Sequence, residues 1–362
     1  MRPRSYLTPK TVRGRIARPQ PLGLPVINMG FNELPYPPTP CVAQALSQTS
    51  ERLGSYGSPG CEALRAKLAE LWGLRADRLI CGNGSEELLD VIARNFVRAG
   101  DEIVISEFGY IQFELTAHRL GARLTKAPER NLRTDIDALL ETITPDTRLV
   151  FLANPNNPTG TMLPPADLAR LVREMPEQVV LVLDLAYGEF AGEDYCAAVH
   201  QIAGNAENVV VTRTFSKAFG LAGTRVGWAD APEWMMPGLY AARGMGSVNA
   251  LAQACAVAAL EDIAIIRDRV AEILSERDRV AAALMEHGLE VLTSSSNFLM
   301  VSTGDADRTE ALVGHLFDTC GIIVNRTRET GLEPYMRFSL SLPIHNDLLL
   351  SGVQAFLDGQ AN

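Results

Sequence analysis

Short, uninterrupted apolar runs alternate with amphipathic stretches through the first two thirds of the chain. Leu79–Cys81, Glu102–Ser106, Leu149–Ala153, Val179–Leu183 and Val209–Thr212 read as strands, and Glu86–Arg98, Tyr110–Leu120 and Pro165–Arg173 read as helices between them. Strands that are apolar on both faces and separated by helices predict a largely parallel sheet covered on two sides. Leu64, Leu68 and Leu71 recur at helical spacing and predict a further helix over Cys61–Leu71. Residues 1–35 hold too many prolines for regular structure and read as an extended arm. Beyond a long helical region, Leu251–Glu286, the pattern changes to short strands at Glu290–Leu292, Phe298–Ser302, Ile322–Val324 and Met336–Ser341 around a helix at Arg308–Cys320. The expected organisation is α/β: an arm over residues 1–39, a large domain with a mainly parallel sheet over 40–255, and a smaller α+β domain over 256–362 that packs with the arm.

Composition narrows the chemistry. The 362 residues carry 33 basic and 43 acidic side chains, a net charge of −10, which argues against nucleic acid or an anionic membrane as partner. The six cysteines are dispersed without metal-ligand spacing, so reduced thiols and no metal site are expected. Met1–Arg18 lacks the apolar core of a signal peptide, and the apolar stretch Val248–Leu260 is too short to span a bilayer. A cytoplasmic protein is expected. Only four of the basic residues outside histidine are lysines (Lys10, Lys67, Lys126 and Lys217). A lysine kept at 217, in Thr-Phe-Ser-Lys-Ala-Phe-Gly, suggests a site that needs an amine able to lose its proton, which arginine cannot supply.

Ligands of open parallel sheets bind beyond the carboxyl ends of the strands, so the residues that follow each strand carry the most information. Gly82-Asn-Gly-Ser-Glu-Glu87 follows the first strand, Phe108 and Tyr110 the second, and Asn154-Pro-Asn-Asn-Pro-Thr-Gly160 the third. Asp184 and Tyr187 follow the fourth, and Thr214, Ser216, Lys217 and Arg225 the fifth. Each has a part to play for pyridoxal 5'-phosphate. Lys217 would form a Schiff base with the aldehyde, and Asp184 would pair with the protonated ring nitrogen. Tyr187 and Asn157 would hold the ring hydroxyl oxygen, and Phe108 would stack on the ring. The amides of Gly84, Ser85 and Glu86 at a helix start suit a phosphate, helped by Thr214, Ser216 and Arg225. Taken singly, the Asp is equally a helix cap, the Asn-Pro-Asn-Asn segment a turn and Arg225 a surface charge. Glu86 and Glu87 oppose a phosphate unless their side chains turn away.

These segments, with Leu-Asp-Leu-Ala-Tyr-Gly-Glu-Phe (183–190) and Thr-Phe-Ser-Lys-Ala-Phe-Gly-Leu-Ala-Gly-Thr-Arg-Val-Gly-Trp (214–228), resemble the fold type I (class I/II) pyridoxal-phosphate-dependent aminotransferases, closest to the histidinol-phosphate aminotransferase-like group. The resemblance implies the same roles for Lys217, Asp184, Tyr187, Asn157, Thr214, Ser216 and Arg225. It adds Tyr56 on the cofactor phosphate of a second subunit, Arg337 on a substrate carboxylate, Asn32 on the substrate side, and a homodimer with sites at the interface. Two positions depart from the histidinol-phosphate pattern. Pro21-Leu22 stands where a Pro-Tyr pair is usual, and Asn325 stands where an arginine usually helps to hold the substrate phosphate; Arg326 or Arg328 could compensate. The resemblance implies transamination between an amino acid or histidinol-phosphate-like amine and a 2-oxo acid. Decarboxylation, cyclisation or elimination on the same cofactor, and more remotely a non-catalytic ligand-sensing module, remain open at this stage.

Overall fold

The computed structural model describes residues 23–51, 53–327 and 329–360. A seven-stranded sheet comprises β1 (Leu79–Gly82), β2 (Glu102–Ser106), β3 (Arg123–Ala127), β4 (Thr147–Ala153), β5 (Val180–Asp184), β6 (Val209–Thr214) and β7 (Gly227–Asp230), in spatial order β1-β7-β6-β5-β4-β2-β3. Only β7 runs antiparallel to its neighbours. The apolar runs are explained by burial on both faces. Ile103, Phe151, Val182 and Val210 join one core layer, while Val104, Val150, Leu181 and Val211 join the other.

Two strands escape the sequence pattern. β3 is an edge strand with only its last residue, Ala127, fully buried, and β7 is short and contains glycine, so neither shows a continuous apolar run. The helices Ser85–Phe96, Ile111–Leu120 and Pro165–Glu174 form within a residue or two of the predicted bounds. The long helical region is two helices, Ala250–Glu261 and Ile263–Glu286, broken at Asp262, whose carboxylate accepts the Cys41 backbone N–H at 2.8 Å.

A second, four-stranded sheet contains β8 (Glu290–Val291), β9 (Phe298–Ser302), β10 (Asn325–Arg326) and β11 (Tyr335–Ser339), in order β8-β9-β11-β10. Ile322–Ile323 does not join it. It pairs in parallel with Ile27–Asn28 of the N-terminal segment, and the Ser339 N–H donates to the Met29 carbonyl at 2.7 Å. These bonds carry Phe31 and Asn32 across to the carboxyl ends of the large sheet. Among the described residues, no helix is long and apolar enough to cross a membrane, and no cluster of potential metal ligands forms.

Candidate active site

The register of the large sheet sets the floor of a crevice of about 440 Å³. Ala153 pairs with Asp184 and Asp184 with Thr212, so three strand ends finish side by side. Asp184 is buried and accepts the Thr212 hydroxyl at 3.0 Å. Desolvation raises its carboxyl to about pKa 6, against the stabilising bonds from Thr212 and the Ala186 amide. A cationic partner would restore its charge. Tyr187, three residues on, receives the Asn32 side-chain N–H on its phenol oxygen at 2.7 Å, and its ring meets Phe298 edge-on. Burial pushes this phenol up to about 12.

Lys217 follows β6 in a tight loop anchored by the buried Phe215–Phe219 contact and by the Gly220 N–H on the Lys217 carbonyl. Its Nζ donates to the Phe31 carbonyl at 3.1 Å and lies 5.8 Å from the centre of the Tyr187 ring. Burial first, then the Arg337 charge, lowers this amine to about pKa 8. A measurable neutral fraction therefore exists near pH 7, as a nucleophilic amine requires.

The far end of the crevice is built to take an anion. Helix Ser85–Phe96 begins there, capped by Gly84 at φ +81°. A Cβ on Gly84 would fall 2.5 Å from Arg225 Nη2, so only glycine lets the guanidinium approach this turn. Thr214 and Ser216 bond to each other, with the Ser216 N–H also on Thr214 Oγ1 at 3.1 Å, and both line the cavity beside Ser85 and Arg225. Glu87 turns back to accept the Asn83 N–H. Glu86 does not turn away. It reaches in to accept the Tyr110 hydroxyl at 2.8 Å and pairs with Arg225 at 3.4 Å.

The opposite wall comes from the N-terminal segment and the small sheet. Asn32, buried at φ +56°, donates its backbone N–H to the Ser339 hydroxyl oxygen, and its carbonyl accepts the Asn297 side-chain N–H. Arg337 Nη2 donates to the Gly30 carbonyl at 3.0 Å and Nη1 to Asn157 Oδ1, with the guanidinium over the Phe298 ring. Asn325 pairs directly with Arg337 across β10 and β11 and also lines the cavity. Arg326 is turned off to Glu310 and to the Thr327, Tyr335 and Ala306 carbonyls, so it does not compensate for Asn325. Arg328 and Leu22 lie outside the described residues.

The crevice thus gathers Asn32, Ser85, Glu86, Asn157, Asp184, Tyr187, Thr214, Ser216, Lys217, Arg225 and Arg337, with Gly84 at its rim. One expected residue, Phe108, is not among those lining the crevice. Phe108 packs with Met300 and Leu332 behind the cavity wall, because the chain turns at Gly109 immediately after β2. Tyr110 lines the cavity instead, its buried phenol held well above the usual pKa range by desolvation and Glu86. Its position at the head of helix Ile111–Leu120, which starts at the sheet's carboxyl edge, was the available signal. Tyr56 is fully exposed and stands apart from the crevice of its own chain.

The donor set fits pyridoxal phosphate. It offers a buried acid for the ring nitrogen, a low-pKa amine for the aldehyde, and a glycine turn with hydroxyls, helix amides and a guanidinium for the phosphate.

Comparison with known proteins agrees with this chemistry. The family model described as aminotransferase class I and II matches residues 25–347. The chain is 38% identical to a histidinol-phosphate aminotransferase of Granulibacter bethesdensis over 92% of this chain and 90% of that protein. It is 38% identical to one of Erythrobacter litoralis over 88% and 87%. The crystal structure of histidinol-phosphate aminotransferase from Sinorhizobium meliloti in complex with pyridoxal-5'-phosphate superimposes with a TM-score of 0.88 at 30% identity, covering 93% of this chain and 92% of that one.

Proposed function

The chain belongs to the class I and II aminotransferase family, a pyridoxal-phosphate-dependent group, and on that premise we propose that Lys217 carries the cofactor in an enzyme that moves an amino group from an amino acid or histidinol-phosphate-like amine to a 2-oxo acid. The observation that carries this reading is the convergence of a near-neutral amine, a buried carboxylate and an anion-binding helix start in one crevice.

When bound, pyridoxal phosphate supplies a reactive aldehyde and a protonated ring that accepts the electron pair released at the substrate's amino carbon. The protein does the rest. Arg225, Ser216, Thr214 and the amides at Ser85 and Glu86 fix the phosphate end. Asp184 would pair with the ring nitrogen, a cationic partner that would favour the charged carboxylate. Tyr187 and Asn157 would hold the ring oxygen, and Tyr110, which lines the same cavity, would lie against the ring. Arg337, steadied by Gly30 and Asn157, orients a carboxylate so that the amino carbon faces Lys217. The Lys217 amine would act as the base that moves the proton from that carbon. Such a positioned base contributes about 10²- to 10⁴-fold.

The same reading assigns a homodimer in which the exposed Tyr56 reaches the phosphate end of the neighbouring subunit's crevice, acting in the cytoplasm. Borohydride reduction of the coloured holoprotein followed by peptide mapping tests the assignment. The tag is expected on Lys217 alone, and a tag on Lys10, Lys67 or Lys126 would overturn it.

A further inference from the structure

We propose that this crevice selects α-amino carboxylates whose side chains carry no negative charge, in preference to phosphate-bearing amines, and that Asn325 is the specificity-determining residue. The inference rests on the aminotransferase reading and deepens it. In the antiparallel pairing of β10 and β11, Asn325 stands directly opposite Arg337, so both side chains project to the same face, into the crevice. Among the described residues lining the cavity, the basic groups are Lys217, Arg225 and Arg337. The cofactor would engage the first two, which among the described residues leaves one guanidinium for the substrate's anion.

One buried guanidinium neutralises a carboxylate. A phosphate monoester carries about 1.5 to 2 negative charges near neutral pH, so beside Arg337 alone it would keep part of its charge uncompensated in a desolvated site. The described neighbours on this strand add no further cation to the crevice. Asn325 is neutral, and the next residue, Arg326, leaves the strand on the opposite face, where Glu310 and three carbonyls hold it. The remaining wall includes Phe31, Ile111, Leu115 and Thr327, which bring no positive charge to a second anion.

The test is calorimetric titration of holoenzyme at about pH 8, where a phosphate monoester is dianionic, with two unreactive ligands that share a ring. These are 3-(imidazol-4-yl)propanoate and 3-(imidazol-4-yl)propyl phosphate. The wild type should bind the carboxylate at least about tenfold more tightly, the size of one charge-assisted bond. Asn325→Arg and Asn325→Lys should each shift the ratio at least about tenfold toward the phosphate. Equal or tighter phosphate binding by the wild type, or an unchanged ratio in both folded variants, overturns the proposal. Should neither variant fold, as a melting curve would reveal, the wild-type ratio alone decides. Loss of the aldehyde absorbance on adding amino donors is followed in parallel. If no donor discharges it while the binding ratio holds, the aminotransferase reading fails and the selectivity stands. If donors discharge it but the phosphate ligand wins, only the selectivity fails.

Discussion

The two walls of the crevice are assembled by different means. On the large-sheet side, parallel register lines up Ala153, Asp184 and Thr212, and each polar group follows its strand within a few residues. On the other side, Gly30–Asn32, Asn325 and Arg337 meet only through contacts that span most of the chain. The Asn32 N–H donating to the Ser339 hydroxyl oxygen and Arg337 donating to the Gly30 carbonyl each join residues 307 positions apart. The cofactor chemistry is therefore written in short segments that any α/β sheet of this register would present together. The substrate side proposed above depends instead on how a small sheet and an N-terminal segment are docked onto it, and the neutral residue at 325 stands there, opposite Arg337, away from the catalytic floor.

That contrast can be broken at several points. Lys217→Ala should lower turnover most, by roughly 10²- to 10⁴-fold or more since both the covalent anchor and the base are lost; dialysis should strip the chromophore, and retention of normal turnover would end the assignment. Asp184→Asn should cost about ten- to a hundredfold in kcat, the value of a hydrogen bond to a charged group, with the carboxylate-ligand affinity unchanged. Arg337→Met should produce the opposite split, an increase in KM for carboxylate substrates of roughly the same size with the chromophore intact. If both variants change kcat and KM alike, the two walls are not separable.

Two smaller effects sharpen the comparison. Lys217 titrates at about 8 in the structure, and only the neutral amine attacks the aldehyde, so cofactor capture by the apoprotein should accelerate up to about pH 8 and then level off. Because Arg337 is the main charge lowering this amine, Arg337→Met should move the midpoint upward, which stopped-flow absorbance would register. Asp184 has its folded pKa raised from 3.8 to about 6. The folded state thus holds its proton more tightly than the unfolded chain, and stability falls as pH rises from about 4 to 6 and stays lowered above that. Apoprotein of Asp184→Asn should therefore melt higher than the wild type at pH 8, by at most about 3 kcal/mol, and converge with it near pH 4. Calorimetry at the two pH values measures this directly.

Much of the cofactor side could be read from the chain because a fully buried parallel strand leaves an uninterrupted apolar run whose end marks a position in space. Asp184, Tyr187, Thr214, Ser216 and Lys217 lie at or just past such ends, Arg225 follows further on before β7, and all line the cavity. The pattern failed where that rule weakens. It missed the edge strand β3 and the short β7, and it favoured Phe108 over Tyr110, since apolar character cannot say which of two nearby aromatics a turn at Gly109 will aim inward.

The sequence by itself determined the five apolar strands and the helices between them, the chemistry at their ends and the choice of lysine over arginine at 217, because these follow from local periodicity and from the functional groups themselves. Tertiary structure alone decided that Glu86 faces Arg225, that Arg326 is drawn away to Glu310, that Asn325 stands against Arg337, and that burial brings Lys217 to about pKa 8 and Asp184 to about 6. Those outcomes depend on strand register and on the exclusion of water, which exist only once distant segments have packed together.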